Sequence, residues 1–309
     1  MDIKLSAIIC TFNRAHYLRK ALQSLVDQTL PKEQYEIIVV DNRSTDNSSQ
    51  VVRGEFGSVS NLRYLYEPVL GLSGARNSGW RSAKGEYVAY MDDDAIACPR
   101  WLEKILDAFE TVKPRPGCVG GKIEPIWGAP RPLWLSDKIV TYLAVLDLSE
   151  VPISSNNRQL LAGANIAFPR CLLETIGGFH VGLGRRGNNL LSNEEIMLVR
   201  QLMSSGHSCF YHPEISVSHH IASSRLNKGW FIRRMYWEGV SEAFVQMHQE
   251  SPSTLKRLRM GITQALSVLL SPQRLVSLIL TTNNPDLFAW KCTTLMKVGY
   301  ILGLLGIER

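Results

Sequence analysis

The chain has 309 residues, 45% of them hydrophobic, and carries 34 Lys and Arg against 28 Asp and Glu. This length and apolar content predict a folded protein with a sizeable core and exclude a mainly disordered chain. Six cysteines occur singly with no Cys-X-X-Cys pair, so the sequence indicates neither a zinc site nor a redox couple. The first residues lack the pattern of a secretory signal, and we expect a cytoplasmic protein with reduced thiols.

Charge is distributed unevenly along the chain. Residues 1–220 hold 23 basic and 23 acidic residues, whereas residues 221–309 hold 11 and 5, so the net charge of +6 arises entirely in the last segment. A basic segment is typical of proteins that contact nucleic acid or an anionic membrane. This one contains no zinc-binding, helix-turn-helix or aromatic RNA-binding motif, and we expect no nucleic-acid partner.

Apolar runs alternate with segments of helical periodicity in the first third of the chain. The runs are Leu5–Cys10, Glu36–Val40, Leu62–Tyr66 and Tyr87–Met91. Such alternation predicts βαβ units, and therefore an α/β fold with a mostly parallel sheet covered by helices.

Polar clusters follow three of these runs. They are Thr11, Asn13 and Arg14 after the first, Asp41 to Ser44 after the second, and Asp92, Asp93 and Asp94 after the fourth. Because ligands bind beyond the carboxyl ends of the strands in such sheets, we expect the three clusters to line one crevice.

The aspartate triplet suits a hard divalent cation, because clustered carboxylates are the ligands that Mg²⁺ and Mn²⁺ prefer. The alternative is a solvated turn that caps the helix predicted at residues 101–109, since Asp is a good N-cap residue. The triplet alone does not decide between these interpretations.

The second half of the main domain is less regular. Residues 114–136 are rich in Pro and Trp, which predicts an irregular excursion covering the site. A strand at 165–168, a helix at 194–203 and a strand at 208–211 follow. We expect one domain over residues 1–240 and a helical extension over residues 241–309.

The extension contains an amphipathic stripe with nearby cations. Its apolar members are Leu255, Leu258, Ile262, Leu266, Leu269 and Leu270, and the cations are Lys256, Arg257 and Arg259. One interpretation is a peripheral contact with the cytoplasmic face of an anionic membrane. The other is packing against the main domain or a second subunit.

The order of motifs resembles glycosyltransferase family 2, the inverting nucleotide-sugar-dependent transferases of the GT-A fold. The matching segments, within residues 5–240, are Cys10–Arg14, Val40–Asp46, Gly71–Gly79, Gly85–Tyr87 with the aspartate triplet, Gly177–Phe179, Asn193–Leu198 and Pro213–His219. The resemblance implies a nucleotide-diphospho-sugar transferase-like fold, with a mixed, mostly parallel sheet flanked by helices and a C-terminal helical extension.

The resemblance also implies a donor site and a metal site. The nucleotide-sugar would contact Thr11, Asn13, Arg14, Asp41, Arg76, Asn77, Asp92 and Asp93. Mn²⁺ or Mg²⁺ would be held by Asp92, Asp94 and His219, with His220 as a rival for the histidine. For Arg76 and Asn77 the alternative is a surface salt bridge. Asp46 is ambiguous, because it also suits a helix cap.

An inverting transfer needs a base that takes the proton from the acceptor hydroxyl. The family supplies it from an acidic pair, normally Glu-Asp, and the corresponding residues here are Glu194 and Glu195. The register identifies Glu195 as the catalytic base, with Glu194 beside it on the acceptor side. The alternative is a pair of acids favoured by the dipole of a first helical turn.

Two further sets of residues are weaker candidates. Arg185 and Arg186 lie in the glycine-rich segment Gly182–Asn189, which predicts either a loop that closes over the diphosphate or a solvated basic turn. Trp127 and Trp134 would stack on an acceptor sugar or pack in the protein.

The implied function is single transfer of a sugar, with UDP-sugar as the expected donor, to a glycan or lipid-linked acceptor in cell-surface polysaccharide biosynthesis. A processive synthase is disfavoured because the segment Trp230–Trp237 lacks the Gln-X-X-Arg-Trp motif of that class. Two alternatives remain: a sugar-1-phosphate nucleotidyltransferase, whose Gly-rich opening loop is missing here, and a non-catalytic scaffold that binds sugar nucleotides.

Overall fold

The computed structural model describes residues 3–156, 160–187, 189–280 and 283–306. The strands are β1 (Leu5–Thr11), β2 (Tyr35–Asp41), β3 (Leu62–Tyr66), β4 (Tyr87–Asp92), β5 (Ala95–Ala97), β6 (Cys118–Trp127), β7 (Ile153–Ser155), β8 (Asn165–Pro169) and β9 (Cys209–Ile221). The α-helices are α1 (Ala15–Val26), α2 (Ser48–Gln50), α3 (Leu72–Ser82), α4 (Trp101–Thr111), α5 (Asp137–Val140), α6 (Arg170–Ile176), α7 (Glu194–Ser204), α8 (Lys228–Glu250), α9 (Thr254–Leu269), α10 (Pro272–Ile279) and α11 (Pro285–Leu305). A π-helical turn continues α2 over Val51–Glu55, and short 3₁₀ turns lie at Thr141–Leu143 and Ser223–Arg225.

The chain divides into two compact units. The first comprises Met1–Ile126, Ala144–Gly182 and Glu194–His220, and the second comprises Trp127–Leu143, Leu183–Asn193 and Ile221–Arg309. Residue 240, where we placed the domain boundary, falls inside α8. The assignment of a main domain and an extension stays a prediction.

A mixed sheet with the order β3-β2-β1-β4-β8-β6-β9-β5 forms the centre of the first unit, and β7 pairs with β9. The four neighbouring strands from β3 to β4 are parallel, and β8 pairs antiparallel with β4. Helices flank this sheet. The predicted α/β class, with its mixed and largely parallel sheet, is therefore confirmed.

Alternating side chains of the central strands enter two different cores. Ile9 of β1 packs in one core with Leu22 of α1, whereas Ile8 packs in the other core with Trp80 of α3 and Leu198 of α7. This arrangement follows from the strand geometry, in which successive side chains point to opposite faces. Because both faces are buried, the strands read as continuous apolar runs in the sequence.

The topology positions a crevice at the end of β1. The chain continues from β1 to β2 on one side, while β4 returns to pair with the other side of β1, with Cys10 opposite Asp92. A change of direction of this kind opens a crevice beyond the carboxyl ends of the two strands, where ligands of α/β proteins bind. The polar clusters after β1, β2 and β4 lie at these strand ends, as predicted.

Two predicted segments differ in the structure. Residues 114–136 include the ten-residue strand β6, so the expectation of an irregular excursion is wrong for that part. Val119 pairs with Ala167 of β8 and is fully buried, and the prolines at 114, 116, 130 and 132 fall outside the strand. The last predicted strand, at 208–211, continues to Ile221.

The second unit contains the C-terminal helices. Asn227, Ser253 and Asn284 directly precede α8, α9 and α11. Each side chain accepts a backbone N–H of the first turn, which is the usual role of an N-cap. Within the described residues, no helix on its own is both long and apolar enough to cross a membrane. Helices α9 and α10 together reach that length and composition, but the chain bends by 78° between them.

Candidate active site

The aspartate triplet lies where β4 ends and the turn to β5 begins. Asp93 and Asp94 are buried, whereas the side chain of Asp92 is 35% exposed. Helix α4 begins after Arg100 and has no side-chain cap, so the triplet does not cap that helix. The capping alternative for the triplet is therefore wrong.

Two residues that follow β1 hold the triplet in place. Thr11 Oγ1 donates to Asp93 Oδ2 at 2.7 Å, and Arg14 donates to Asp93 Oδ1 at 3.1 Å and to Asp94 Oδ2 at 2.7 Å. Burial raises the pKa of Asp93 to about 6, although the Arg14 charge opposes this rise. Thr11 and Arg14 thus orient carboxylates, and their predicted contact with the nucleotide stays a prediction.

A metal-binding arrangement forms from Asp92, Asp94 and His219. One possible ligand atom from each lies within 4.8 Å of the other two. The His219 Nε2 atom is 3.2 Å from Asp94 Oδ1, and its Nδ1 atom is buried with no hydrogen-bond partner among the described residues. Two carboxylates and one imidazole fit Mn²⁺ well and Mg²⁺ less well, because Mg²⁺ prefers oxygen ligands.

The alternation of side chains along β9 separates the two rival histidines. His219 is buried on the side of Asp94, whereas the ring of His220 lies 5.2 Å from the ring of Tyr17. Burial lowers the pKa of His220. The geometry therefore favours His219 as the ligand.

The loop after β2 is built around Asp41 and Asn13. Asp41 Oδ1 accepts the Ser44 N–H at 2.8 Å, and its Oδ2 accepts the Tyr64 hydroxyl at 2.7 Å. Asn13, which has a φ of 55°, accepts the Thr45 N–H at 2.7 Å through its side-chain oxygen. Asp41 and Asn13, which we predicted to contact the nucleotide, therefore both stabilise a backbone turn. Each side chain retains hydrogen-bonding capacity for a ligand.

Asp46 serves two helix starts at once. One carboxylate oxygen accepts the N–H of Ala15, the first residue of α1, at 3.0 Å. The other accepts the N–H of Ser48, the first residue of α2, at 3.0 Å. These contacts favour the capping interpretation of Asp46.

Arg76 of α3 is buried and connects the triplet to the acidic pair. Its guanidinium donates to Glu194 Oε1 at 2.6 Å, to Asp92 Oδ1 at 3.4 Å and to the Gly163 carbonyl at 3.2 Å. Burial opposes the charged form of Arg76, but the negative charges of Glu194 and Asp92 outweigh burial, so the pKa of Arg76 is raised. The surface salt bridge that was the alternative for Arg76 is therefore wrong, because the residue is 3% exposed.

The two glutamates at the start of α7 have different surroundings. Glu194 is 4% exposed and paired with Arg76, whereas Glu195 is partly exposed and accepts the Gly163 N–H at 3.3 Å. Of the two glutamates, Glu195 is therefore the one that is accessible to solvent.

Gly163 is a site residue that sequence reasoning missed. A Cβ atom at this position would lie 2.9 Å from Arg76 Nη2 and 3.3 Å from Glu195 Cδ. Only glycine therefore allows both side chains to approach this backbone without a shift. The available signal was a glycine two residues before the predicted strand at 165–168, since glycine near a strand is consistent with a close backbone approach.

The Asn77 side chain is hydrogen-bonded within the protein. Its side chain donates to the Phe179 carbonyl at 2.7 Å and accepts the Phe179 N–H at 2.9 Å and the Trp80 indole N–H at 3.0 Å. The adjacent Gly178 has a φ of 79°, and a Cβ there would lie 2.5 Å from the Asn77 amide oxygen. Asn77 therefore fixes the Gly177–Phe179 turn, which disfavours its predicted contact with the nucleotide.

The remaining predicted residues belong to the second unit. Trp134 is 9% exposed and packs edge-on against Phe231 and Phe288, which supports the packing alternative for this residue and contradicts stacking on a sugar. Trp127 ends β6, and the Arg131 guanidinium lies 6.0 Å from its ring. Arg185 is partly buried and Arg186 is exposed, while Asn188 of the same predicted loop lies outside the described residues.

The charge of the first unit's site is predominantly negative. Its network contains five carboxyl groups and two guanidinium groups: Asp92, Asp93, Asp94, Glu194, Glu195, Arg14 and Arg76. An excess of three carboxyl groups would repel an anionic diphosphate unless a cation reduced the negative charge of the site. The site is thus suited to a divalent cation with an anionic ligand.

Comparison with known proteins identifies the family. A model of glycosyl transferase family 2 matches residues 6–176, which is more than half of the chain. The chain belongs to this family. It is 25% identical over 308 residues to a glucosyl-dolichyl phosphate glucuronosyltransferase of Haloferax volcanii, covering 98% of this chain and 97% of the relative.

Solved structures with a similar fold are GT-A glycosyltransferases. A mannosyltransferase of Pyrobaculum calidifontis, PcManGT, in complex with GDP-Man and Mn²⁺, has a TM-score of 0.62 and 18% identity, covering 100% of this chain and 89% of the other. TarS 1–349 of S. aureus in complex with UDP has a TM-score of 0.53 and 16% identity, covering 99% and 91%. At these identities, the likeness establishes the fold.

Proposed function

We propose that this glycosyltransferase moves a sugar, with inversion and one residue at a time, from a nucleotide-sugar to a glycan or lipid-linked acceptor of the cell surface. The observation that carries the proposal is the position of Arg76. One buried guanidinium contacts Asp92 of the metal-binding arrangement and Glu194 of the acidic pair. The groups needed to bind a diphosphate and to accept a proton therefore belong to one connected network.

The donor and acceptor classes are supported by similar proteins. GDP-Man with Mn²⁺ and UDP are bound in the structures of similar fold, and we take UDP-sugar as the first donor to test. The Haloferax relative acts on a glucosyl-dolichyl phosphate by its name, which supports a lipid-linked acceptor. The family match argues against the nucleotidyltransferase alternative.

Asp92, Asp94 and His219 would hold Mn²⁺ or Mg²⁺, and the ion, when bound, would neutralise charge on the departing diphosphate. Arg14 and Thr11 keep the neighbouring carboxylates oriented through their bonds to Asp93 and Asp94. These contacts fix the triplet before the donor arrives, which reduces the reorganisation that binding requires.

Glu195 would accept the proton of the acceptor hydroxyl while that oxygen bonds to the anomeric carbon and the bond from this carbon to the diphosphate oxygen breaks. The Gly163 N–H restricts the orientation of the Glu195 carboxylate. Glu194 is buried against Arg76 and would act through it as a positioning residue.

Calorimetric titration with UDP tests the metal-dependent donor site. We expect binding with Mn²⁺, at least about tenfold weaker binding in EDTA and a similar loss in Asp94→Asn. Asp107→Asn removes an exposed carboxylate on α4 and serves as the matched control, with no expected change. Equal affinity with Mn²⁺ and EDTA would contradict the metal site.

Release of UDP from UDP-sugars, measured with a panel of glycoside and lipid-linked acceptors, tests the transfer itself. Acceptor-dependent release that Glu195→Gln lowers by about 10²-fold is the expected result. Metal-dependent UDP binding without release on any acceptor would instead support the non-catalytic scaffold.

A further inference from the structure

Helices α9 and α10 of the second unit each expose a row of apolar side chains, which we call the apolar face. The exposed fractions along α9 are 78% for Leu255, 54% for Leu258, 50% for Ile262, 48% for Leu266 and 62% for Leu269. In α10 and directly after it, Leu275, Val276, Ile279 and Leu280 are also exposed. Spacings of three and four residues put the α9 side chains on one side of that helix.

The side of α9 that carries Gln264 and Ser267 faces protein. Lys297 of α11 donates to Gln264 Oε1 at 2.8 Å and to Ser267 Oγ at 2.7 Å. Val268 is the only residue within α9 that is buried. The helix therefore has the opposite orientation from an amphipathic helix at the surface of a water-soluble domain, which turns its apolar side inward.

Helix α10 has the same inverted orientation. Ser277 is fully buried, and the Arg274 guanidinium lies 4.7 Å from the Trp290 ring and 3.3 Å from the hydroxyls of Thr293 and Thr294. Polar groups of two successive helices thus contact α11, while most of their leucine, isoleucine and valine side chains are exposed. Exposed apolar side chains clustered along two helices mark an interaction surface.

The charge of the segment indicates an anionic partner. Residues 254–280 contain Lys256, Arg257, Arg259 and Arg274 and no acidic residue. Lys256 forms an exposed pair with Glu250 at 2.8 Å, which solvent weakens. A second copy of this chain is a poor fit, because a two-fold interface through this face would bring the same cations of both copies together.

We propose that α9 and α10 lie in the surface of an anionic membrane, with the apolar face in the acyl boundary and the basic side chains among the lipid headgroups. The bend of 78° lets the two helices follow the surface as separate short segments. The proposal concerns the second unit and does not depend on the proposed transfer reaction, although it would bring the enzyme to the surface where lipid-linked acceptors lie.

Vesicle flotation of the full-length protein tests the proposal. We expect flotation with vesicles of phosphatidylcholine and phosphatidylglycerol, less with phosphatidylcholine alone, and a decrease as salt rises. Ile262→Glu puts a charge into the apolar face and should weaken partitioning at least about tenfold. Thr263→Glu is the matched control, because it adds the same charge at the next, exposed position, rotated by about 100° away from the face.

Flotation that does not depend on anionic lipid, or an equal loss in Ile262→Glu and Thr263→Glu, would overturn the proposal. Sedimentation velocity without lipid supplies a second measurement. A wild-type dimer that becomes monomeric in Ile262→Glu would also overturn it, since a second copy would then cover the face. Circular dichroism verifies that each variant folds, and UDP titration reports separately on the donor site.

Discussion

The buried pair of Arg76 and Glu194 allows a quantitative test of how the acidic pair is held. Their atoms are 2.6 Å apart, and the two side chains are 4% and 5% exposed. Arg76→Gln leaves Glu194 buried without its partner, which should destabilise the first unit by about 3–5 kcal/mol. Glu194→Gln should cost less, about 1–2 kcal/mol, because Asp92 and the Gly163 carbonyl still contact Arg76.

The variant that carries both Arg76→Gln and Glu194→Gln should be more stable than the sum of the two single losses of stability predicts. Removing both charges leaves no buried ion alone, so we expect a coupling free energy of about 2 kcal/mol between the two positions. Hydrogen exchange, followed by mass spectrometry in peptides that cover β1 and β4, measures the stability of the first unit even if the chain unfolds in more than one step.

The exposed pair Arg170 and Glu174 provides the control cycle. It joins the same chemical groups at the same distance of 2.6 Å in the same unit, but the side chains are 37% and 49% exposed. Its coupling should not exceed about 0.5 kcal/mol. If the buried pair couples no more strongly than this control, Arg76 does not hold the acidic pair in the way we describe.

Three further predictions concern single side chains. Glu195→Gln should lower turnover by about 10²-fold or more with donor affinity nearly unchanged, and Glu194→Gln should be milder; a reversed order would refute the assignment of the base. Gly163→Ala should lower turnover by about tenfold while metal-dependent UDP titration stays normal, because the new Cβ meets Arg76 and Glu195; unchanged turnover would count against this crowding. Burial raises the pKa of Cys292 to about 12, so at pH 8 a fraction of only about 10⁻⁴ is thiolate. Ellman's reagent should therefore modify the exposed Cys171 first and Cys292 only after unfolding or at much higher pH; rapid reaction of both in the native protein would contradict the burial.

The first half of the fold could be predicted because its signals are local. Strands β1, β2 and β4 are mainly apolar and almost fully buried, as parallel strands covered on both faces are, and the bounds of all four strands from β1 to β4 agree with prediction to within one residue. The polar residues that end these strands identify the crevice for the same reason. Strand β6 was missed because the prolines and tryptophans in and around it, including Pro125 and Trp127, obscured the buried positions Val119 and Ile123.

The pairings within the site could not be predicted, because they join residues far apart in the chain. Arg76 and Glu194 are separated by 118 positions, and no local pattern relates them. The asparagines show the same limit. Asn13 and Asn77 have the chemistry to bind a nucleotide, but the Asn13 amide oxygen already accepts the Thr45 N–H, and both ends of the Asn77 amide contact Phe179. Sequence motifs identify the residues of a site more readily than they identify what each side chain contacts.

Glu195 and Gly163 together explain how this chain can depart from the Glu-Asp pair that its family resemblance implies. A glutamate extends its carboxylate one methylene further than an aspartate would. At Gly163 the missing Cβ leaves the room that this longer side chain needs, and the backbone N–H there receives the carboxylate at 3.3 Å. The carbonyl oxygen of Gly163 accepts a hydrogen bond from the Arg76 guanidinium, which also donates to Glu194. A backbone position 32 residues before the glutamate therefore helps to orient its carboxylate, and we predict that this contact lets the longer side chain act as a base.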